Sequence, residues 1–472
     1  MIIEELDPEF YRGGNVDEGL SDVADRLYRS VSDLPFSFLL ESIGGHASGS
    51  SRFTFIGADP FSSVKARADE IEIAGYDCIK TVSGNPFQTV REYLKLFRED
   101  GHPVFPFYGG AVGYIGYETS CHIESLPPRK DDALFIPDLY LNFYDAVLII
   151  DNLDLRVYLA STGFPETGSA GDGRARERAV FFKEHILSAK EISSSRPEIG
   201  PLESNFNKKE YMQAVEKIKY YIEKGDIYQA NIGQRFNASF TGSSYEIYRR
   251  FGKLNPAPFG AFLKYPGLEV ISNSPERFLS LREGIIETRP IKGTASRSEN
   301  GATDEALKTA LEKSIKDRAE HIMIVDLERN DLGKVCKYGT VKVNNLYHVE
   351  SYSNLHHLVS SVTGELEKGV DATECLLSAF PGGSITGAPK VRAMEIIHEV
   401  EPNPRWLYTG SIGYLGFDGG MDMNIAIRTA FVTGGRIYFS VGGGIVADSD
   451  PEAEYNETLL KGDIFRKIAT GS

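Results

Sequence analysis

From about residue 35 to residue 160, short apolar runs (FSFLLES, RFTFIGA, VKARADEIEIAG) alternate with Gly, Asn and Pro. That rhythm restricts this half to strands joined by tight turns, in an all-β or α+β arrangement. GGAVGYIGY and DLYLNFYDAVLIIDNLDLRVYLAS are further strand candidates. Two polar stretches rich in Gly, Ser and Pro, STGFPETGSAGDGRARER and SSSRPEIGPLESN, then bracket one helical segment, AVFFKEHILSAKEI, which predicts a connector over 161–204. The remaining chain, 205–472, opens on Asn207 and Glu210, a capping-box pattern that predicts a helix over KEYMQAVEKIKYYIEKG. Beyond it, helices alternate with strand-like segments such as GDIYQANIGQRFNASF, LEVISNSPERFLSLREGIIETRPIKGT and MNIAIRTAFVTGGRIYFSVGGGI. The expectation is an α+β fold with a large, mostly antiparallel sheet system. GGAVGYIGY and TGSIGYLGF look alike, as equivalent strands of two subdomains would.

A chain of 472 residues has ample interior for a pocket. Its net charge of −16 and lack of a long basic run argue against a nucleic-acid partner. The longest apolar run, DAVLII, is too short to span a bilayer, and the acidic start MIIEELDPEF is unlike a secretion leader, so a cytoplasmic location and no membrane partner are expected. Cys78, Cys121, Cys336 and Cys375 show no metal spacing and no glycine-flanked nucleophile elbow. A built-in cysteine amidase is therefore not visible.

Several segments carry candidate chemistry. Asp317 with Glu320, and Glu454 with Glu457, are spaced i,i+3, so each pair shares one helix face. Two facing helices could hold a hard divalent cation in these oxygens, Mg²⁺ being the ordinary choice, although either pair alone also reads as a solvated face. Pro381–Lys390, PGGSITGAPK, leads into a helical pattern and reads either as a structural turn or as a cradle of N–H groups for a carboxylate. Gly442–Gly444 allows close approach to a ligand or marks a bulge. Arg428 and Lys461 are local cations that an anionic substrate would need in so acidic a chain. Finally, Glu276 precedes Lys292 by a hairpin's length. In RPIKGTASR, read as a tight loop, Lys292 is either a solvated lysine or an amine working beside the Glu276 acid.

In family order, GDIYQAN, NSPERF, RPIKGT, DRAEHIMIVDLERNDLG, SNLHHLVSSVTGEL, FPGGSITGAPKVRAMEII, YTGSIGYLGF, MNIAIRTA and GGGIVADSDPEAEYNETLLKG resemble the chorismate-utilising enzymes, the family of the anthranilate, aminodeoxychorismate, isochorismate and salicylate synthases. These motifs span essentially 208–465, and LLES with RFTFIGADP extends the likeness into the amino-terminal region. The resemblance implies a β-sandwich core flanked by helices in two interleaved subdomains, with an N-terminal family region (1–160) and a chorismate-binding catalytic domain (205–472). It implies Mg²⁺ on Glu320 and Glu457, with Asp317 and Glu454 at the metal or its waters. It also implies substrate contacts from Gly293, Thr294, His357, Ser384, Tyr408, Arg428, Gly442, Gly444 and Lys461.

Lys292, where anthranilate- and isochorismate-type enzymes have Ala, resembles the branch that aminates chorismate at C4. Gln229 stands where the water-adding branches carry a basic Lys. The resemblance then implies Lys292 as covalent nucleophile or electrostatic guide, Glu276 as general acid, and ammonia from a separate glutamine amidotransferase subunit. It also implies a place in 4-aminobenzoate and folate biosynthesis. The alternative within the family is an anthranilate synthase component I. From other classes, Lys292 as a Schiff-base lysine and a non-catalytic binding protein are the competing expectations. The LLES region (Leu39–Ser42) corresponds to a tryptophan pocket in relatives of both amidating branches.

Overall fold

In a computed structural model, residues 1–11, 20–43, 52–75, 78–188, 195–352 and 355–470 are described. Two antiparallel sheets carry most of them. The first runs, in spatial order, Ile2–Glu5, Arg156–Ser161, Ala146–Asp151, Phe53–Gly57, Phe38–Glu41, Phe259–Tyr265, Leu268–Ser274, Thr429–Thr433, Arg436–Ile445, Gln229–Thr241 and Glu198–Ile199. The second runs from Ile291–Ser296 through Leu355–Glu365, Ile285–Arg289, Arg277–Arg282, Met421–Asn424, Ser411–Gly416, Gly110–Ile115, Leu139–Tyr144 and Ser62–Arg67 to Glu70–Gly75 and Ile79–Ser83. Each sheet thus draws strands from both ends of the chain. The seams are explicit: Gly260 lies opposite Glu41 in the first sheet, and Gly113 opposite Gly413 in the second. The two look-alike segments GGAVGYIGY and TGSIGYLGF are therefore adjacent strands, and the subdomains interleave.

An aromatic-rich core fills the space between the sheets. Phe55 meets Tyr414 edge to face at 5.7 Å, Tyr114 meets Tyr265 at 5.8 Å, and Tyr140 stacks on Tyr265 at 4.4 Å. Such pairs contribute about 0.5–1.5 kcal/mol each beyond their buried area. The strand Ala146–Asp151 shows why DAVLII is apolar throughout. Val147 and Ile149 face this inner core, whereas Ala146, Leu148 and Ile150 face a second core beneath the helices Leu20–Val31, Gly168–Ser188 and Ser244–Leu254. A third core packs the second sheet against the helices Pro86–Leu96, Ile315–Gly333 and Ala372–Ala379. Strands covered on both faces lose the polar alternation of a solvated sheet.

Two local expectations are corrected. The connector helix begins at Gly168, not near Ala179, because the polar stretch GDGRARER is helical too. Its arginines turn inward: Arg174 and Arg178 both pair with the fully buried Asp145, at 2.8 and 3.2 Å, and Arg178 reaches Asp59 at 2.6 Å. Ion pairs rather than apolar periodicity extend the helix. Its expected tail, residues 189–192, lies outside the described residues, as do 353–354 of SNLHHLVSSVTGEL. The second correction is RPIKGTASR, which is a strand, Ile291–Ser296, paired with Leu355–Glu365. Asn207 and Glu210 form the expected capping box at the helix Lys208–Glu223. All four cysteines are free, and no helix among the described residues is long and apolar enough to cross a membrane.

Candidate active site

Arg277–Arg282 and Ile285–Arg289 form a hairpin whose two turn residues, Glu283 and Gly284, both have positive φ, as a tight two-residue connection requires. It returns the chain from Glu276 to Lys292. The register of Ile291–Ser296 slips between Lys292, opposite Leu358, and Thr294, opposite His357. Gly293 occupies the slip at φ 74°, and a β-carbon there would stand 2.9 Å from Leu311 Cδ1 and 3.1 Å from Asp317 Oδ1. The irregularity lets the helix start at Asp317 pack directly onto the strand that carries Lys292.

Glu276 is buried at 4% exposure and accepts a bond from the Ile291 N–H at 3.3 Å. Burial pushes its carboxyl up to about 7, against the opposing pull of Ser384 and the Lys292 charge. Lys292 Nζ donates to the Ser384 carbonyl at 3.2 Å. Burial lowers its pKa from the ordinary lysine value, while Glu276 and Glu320 oppose that shift and Lys461 adds to it. A weakened acid and a weakened base therefore share one interior site, the condition for exchanging a proton near neutrality.

The Gly-rich segment is built differently from the expected helix-start cradle. Gly383–Ile385 is a short 3₁₀ turn, Gly387–Ala388 pairs with Gln229–Ala230, and the helix begins only at Lys390. Lys390 turns away to Asp331 at 2.5 Å and to the Ala379 carbonyl at 2.6 Å. What the segment presents near Lys292 is Ser384, buried, whose hydroxyl faces the Glu276 carboxyl.

On the adjoining first sheet, Gly442, Gly443 and Gly444 lie opposite Gly233, Ile232 and Asn231. A side chain at Gly442 would meet the Tyr408 hydroxyl at 2.5 Å and Asn231 Oδ1 at 2.9 Å, so bare backbone is needed there. Gly444 abuts the Gln229 amide. Gln229 is completely buried, and neither its Oε1 nor its Nε2 has a partner; Asn231 Oδ1 is likewise unmatched. Buried polar atoms are almost always satisfied, so these atoms are matched by water or by a polar ligand.

Cationic and neutral donors flank the cluster. Arg428, at φ 49°, donates to Asn255 Oδ1 at 3.3 Å, and no carboxylate among the described residues pairs with it. Burial alone lowers its pKa to about 10. His357 Nδ1 and Thr294 Oγ1 are 3.0 Å apart. Burial, then the charge of Arg428 and of His356, brings His357 down to about 3, so it is a neutral imidazole. Lys461 Nζ bonds the Gly442 carbonyl at 2.8 Å and Glu457 at 2.6 Å.

The four metal candidates sit near the starts of two helices, Ile315–Gly333 and Pro451–Thr470, Asp317 and Glu454 in the first turns and Glu320 and Glu457 in the next. Burial raises the carboxyl of Glu320, opposed by Lys292 and Lys316 and reinforced by Asp317 and Asp448. Glu454 is raised by burial and by Glu457, and accepts from Ser449 Oγ at 2.7 Å. No three His, Cys, Asp or Glu side chains among the described residues stand together as a preformed metal cluster. The donor chemistry nonetheless suits a hard cation: burial, reinforced by neighbouring carboxylates, already raises Glu320 and Glu454, and a divalent ion would favour their ionised forms.

The chorismate binding enzyme family matches residues 38–467. The chain belongs to that family. Among its relatives, this chorismate-binding enzyme is 38% identical to aminodeoxychorismate synthase component 1 of Bacillus subtilis over 90% of its own length and 89% of the relative's. It is 39% identical to the protein of that name from Escherichia coli, over 93% and 94%, and 39% identical to anthranilate synthase component 1 of Aquifex aeolicus, over 92% and 89%. Of solved structures, anthranilate synthase component I from Streptococcus pneumoniae superposes with a TM-score of 0.78 at 28% identity, covering 89% of this chain and 95% of that one.

In this chorismate-binding enzyme the sequence candidates Lys292, Glu276, Gly293, Thr294, His357, Ser384, Arg428, Tyr408, Gly442, Gly444 and Lys461 are linked by the contacts and charge couplings above. Glu320 couples to the same group through Lys292, and Glu457 through Lys461. The LLES residues lie elsewhere. Leu40, Glu41 and Ser42 line a small cavity with Phe53, Pro258 and Tyr414, next to a cavity of about 1190 Å³ between the sheets. Glu41 there is already held by the Tyr248 hydroxyl at 2.8 Å, whereas the Ser42 hydroxyl is unpartnered. One buried acid of the site region, Glu328, was not singled out from sequence. The available signal was its helical phase, since it shares the buried face of His321, Ile324, Val325 and Leu332.

Proposed function

We propose that this enzyme aminates chorismate at C4 to give 4-amino-4-deoxychorismate, the branch point toward 4-aminobenzoate and folate. The observation that carries the reading is the Lys292 amine beside the raised Glu276 carboxyl. The names of the Bacillus and Escherichia relatives support it. Neutral Lys292 Nζ attacks C2 of the ring, the two ring double bonds shift by one place, and the C4–O bond breaks. Glu276 gives its proton to the departing hydroxyl, which leaves as water. Ammonia then bonds to C4, the double bonds shift back, and the C2–Nζ bond breaks with its electron pair returning to Lys292. The proton lost by Glu276 is recovered from the new C4 ammonium. Splitting the exchange into two allylic displacements avoids a direct same-site displacement of a poor leaving group.

Arg428, Thr294, neutral His357 and the backbone at Gly442 and Gly444 orient the substrate's carboxylates and ring. Glu320 and Glu457, with Glu454 and Asp317, would hold Mg²⁺, whose charge neutralises a substrate carboxylate in this acidic chain. Ammonia would come from a separate glutamine amidotransferase. The words "component 1" in the relatives' names and the lack of a cysteine elbow in this sequence support that division. The small LLES cavity, with its orphan Ser42 hydroxyl, is the place for a tryptophan ligand, and the cytoplasm is the compartment this chemistry suits.

Anthranilate formation is the second reading, favoured by the Aquifex relative. Lys292→Ala separates the two. Under the first, the variant loses 4-amino-4-deoxychorismate formation by at least about a hundredfold. Unchanged formation of that product would remove Lys292 from the reaction.

A further inference from the structure

We propose that Arg405, oriented by Glu401, is a positioning residue for this reaction: one buried guanidinium fixes the two halves of the substrate site against each other. The inference rests on the C4-amination reading, in which chorismate is held beside Lys292. Arg405 and Glu401 both lie inside at 5% exposure, just beyond the helix Lys390–Val400. Every N–H of the guanidinium has an acceptor. Nε donates to Glu401 Oε2 at 2.9 Å, and Nη2 to Glu401 Oε1 at 2.6 Å and the Asn231 carbonyl at 2.7 Å. Nη1 donates to the Ile385 carbonyl at 3.1 Å and to Thr409 Oγ1 at 3.2 Å. Glu401 Oε1 in turn accepts from the Gly233 N–H at 2.7 Å.

Each of these partners stands one step from a candidate substrate contact. Asn231 and Gly233 lie opposite Gly444 and Gly442 in the first sheet. Ile385 follows Ser384, whose carbonyl receives Lys292 from the second sheet. Thr409 follows Tyr408, whose ring centroid is 5.6 Å from the guanidinium carbon. The spacing between the glycine backbone and the Lys292 amine is therefore bridged by Arg405, from the Asn231 carbonyl on one side to the Ile385 carbonyl on the other. A rigid planar fork can hold both carbonyls at once, whereas a lysine ammonium is a point charge on a flexible stem. Desolvation offsets much of the attraction within a buried ion pair, so such a pair is better suited to fixing geometry than to adding stability.

The test is the steady-state formation of 4-amino-4-deoxychorismate from chorismate, Mg²⁺ and saturating ammonium, at a temperature where circular dichroism shows each protein folded. It compares the wild type with Arg405→Lys, the double variant Glu401→Gln/Arg405→Met, Thr409→Val and Lys292→Ala. Arg405→Lys keeps the charge opposite Glu401 and loses the fork, and the double variant leaves no buried charge uncompensated. Both are expected to lower kcat by at least about thirtyfold, as a shift of about 1 Å in the reacting atoms would, with KM for chorismate within about threefold of wild type. Thr409→Val removes a single acceptor. It should lower kcat by about fivefold, the equivalent of one hydrogen bond, and it carries the test if the other two do not fold. Folded variants that keep kcat within about twofold of wild type, or whose loss lies in KM alone, overturn the proposal and leave the pair as packing. If Lys292→Ala keeps the wild-type rate, the reading of the site fails first and the inference falls with it. An inert Lys292→Ala beside fully active Arg405 variants sinks the inference alone.

Discussion

On the proposed C4 amination, Lys292 needs to be an amine without its proton, and Glu276 an acid that has kept one. Their environments push both in the required direction, since burial lowers Lys292 and raises Glu276 to about 7. The sign of the pH dependence follows. Rate is lost on the acid side as Lys292 becomes protonated and on the alkaline side as Glu276 ionises, so kcat at fixed free ammonia should be bell-shaped, with its alkaline limb near neutrality. A profile that rises monotonically through pH 8 to 9, toward the titration of an unperturbed lysine near about 10.4, would contradict it. Most of these residues were legible in sequence because each stands in a short, distinctive motif. Glu328 was not, since it shares the face of the apolar residues Ile324 and Val325 rather than that of another carboxylate. The orphaned Gln229 amide was visible only as a residue type, because its isolation depends on Gly444 removing the side chain that would have filled its place.

Strands were read well where turns punctuate them and less well where a segment's role depends on distant partners. RPIKGTASR has a Pro and a Gly within five residues, which reads as a loop. It is a strand because the bulge at Gly293 absorbs the irregularity and Leu355–Glu365 supplies the partner. The polar half of the helix Gly168–Ser188 was likewise hidden, because its stability lies in Arg174 and Arg178 meeting Asp145. Replacing Asp145 with Ala leaves two guanidinium groups inside without their acid. We expect it to destabilise the fold by about 3–5 kcal/mol, the usual cost of breaking a buried pair from one side, seen as a lowered thermal midpoint. A midpoint within a degree of wild type would show that the connector helix is held by other means.

At the scale of the molecule, interleaving places the site where the two sheets' strands and the helices Ile315–Gly333 and Pro451–Thr470 come together, which no single segment of sequence displays. Gly442 and Lys292 lie in different sheets, and the short 3₁₀ turn at Ser384 joins them. The net charge of −16 sets the electrostatic problem for an anionic substrate, and Mg²⁺ held at Glu320 and Glu454 is its proposed solution. Mg²⁺ should raise the thermal midpoint of the wild type and not of Glu320→Gln, and chelation should abolish turnover; activity undiminished by chelation would remove the metal from the account. The central claim, that Lys292 directs amination to C4, is tested most directly by identifying the product. The purified chain is supplied with chorismate, Mg²⁺ and ammonium, and the mixture is resolved by liquid chromatography with mass detection. The account predicts 4-amino-4-deoxychorismate, formed with ammonium but not with glutamine, and its loss in Lys292→Ala. Fluorescent anthranilate as the main product of the wild-type chain would contradict it.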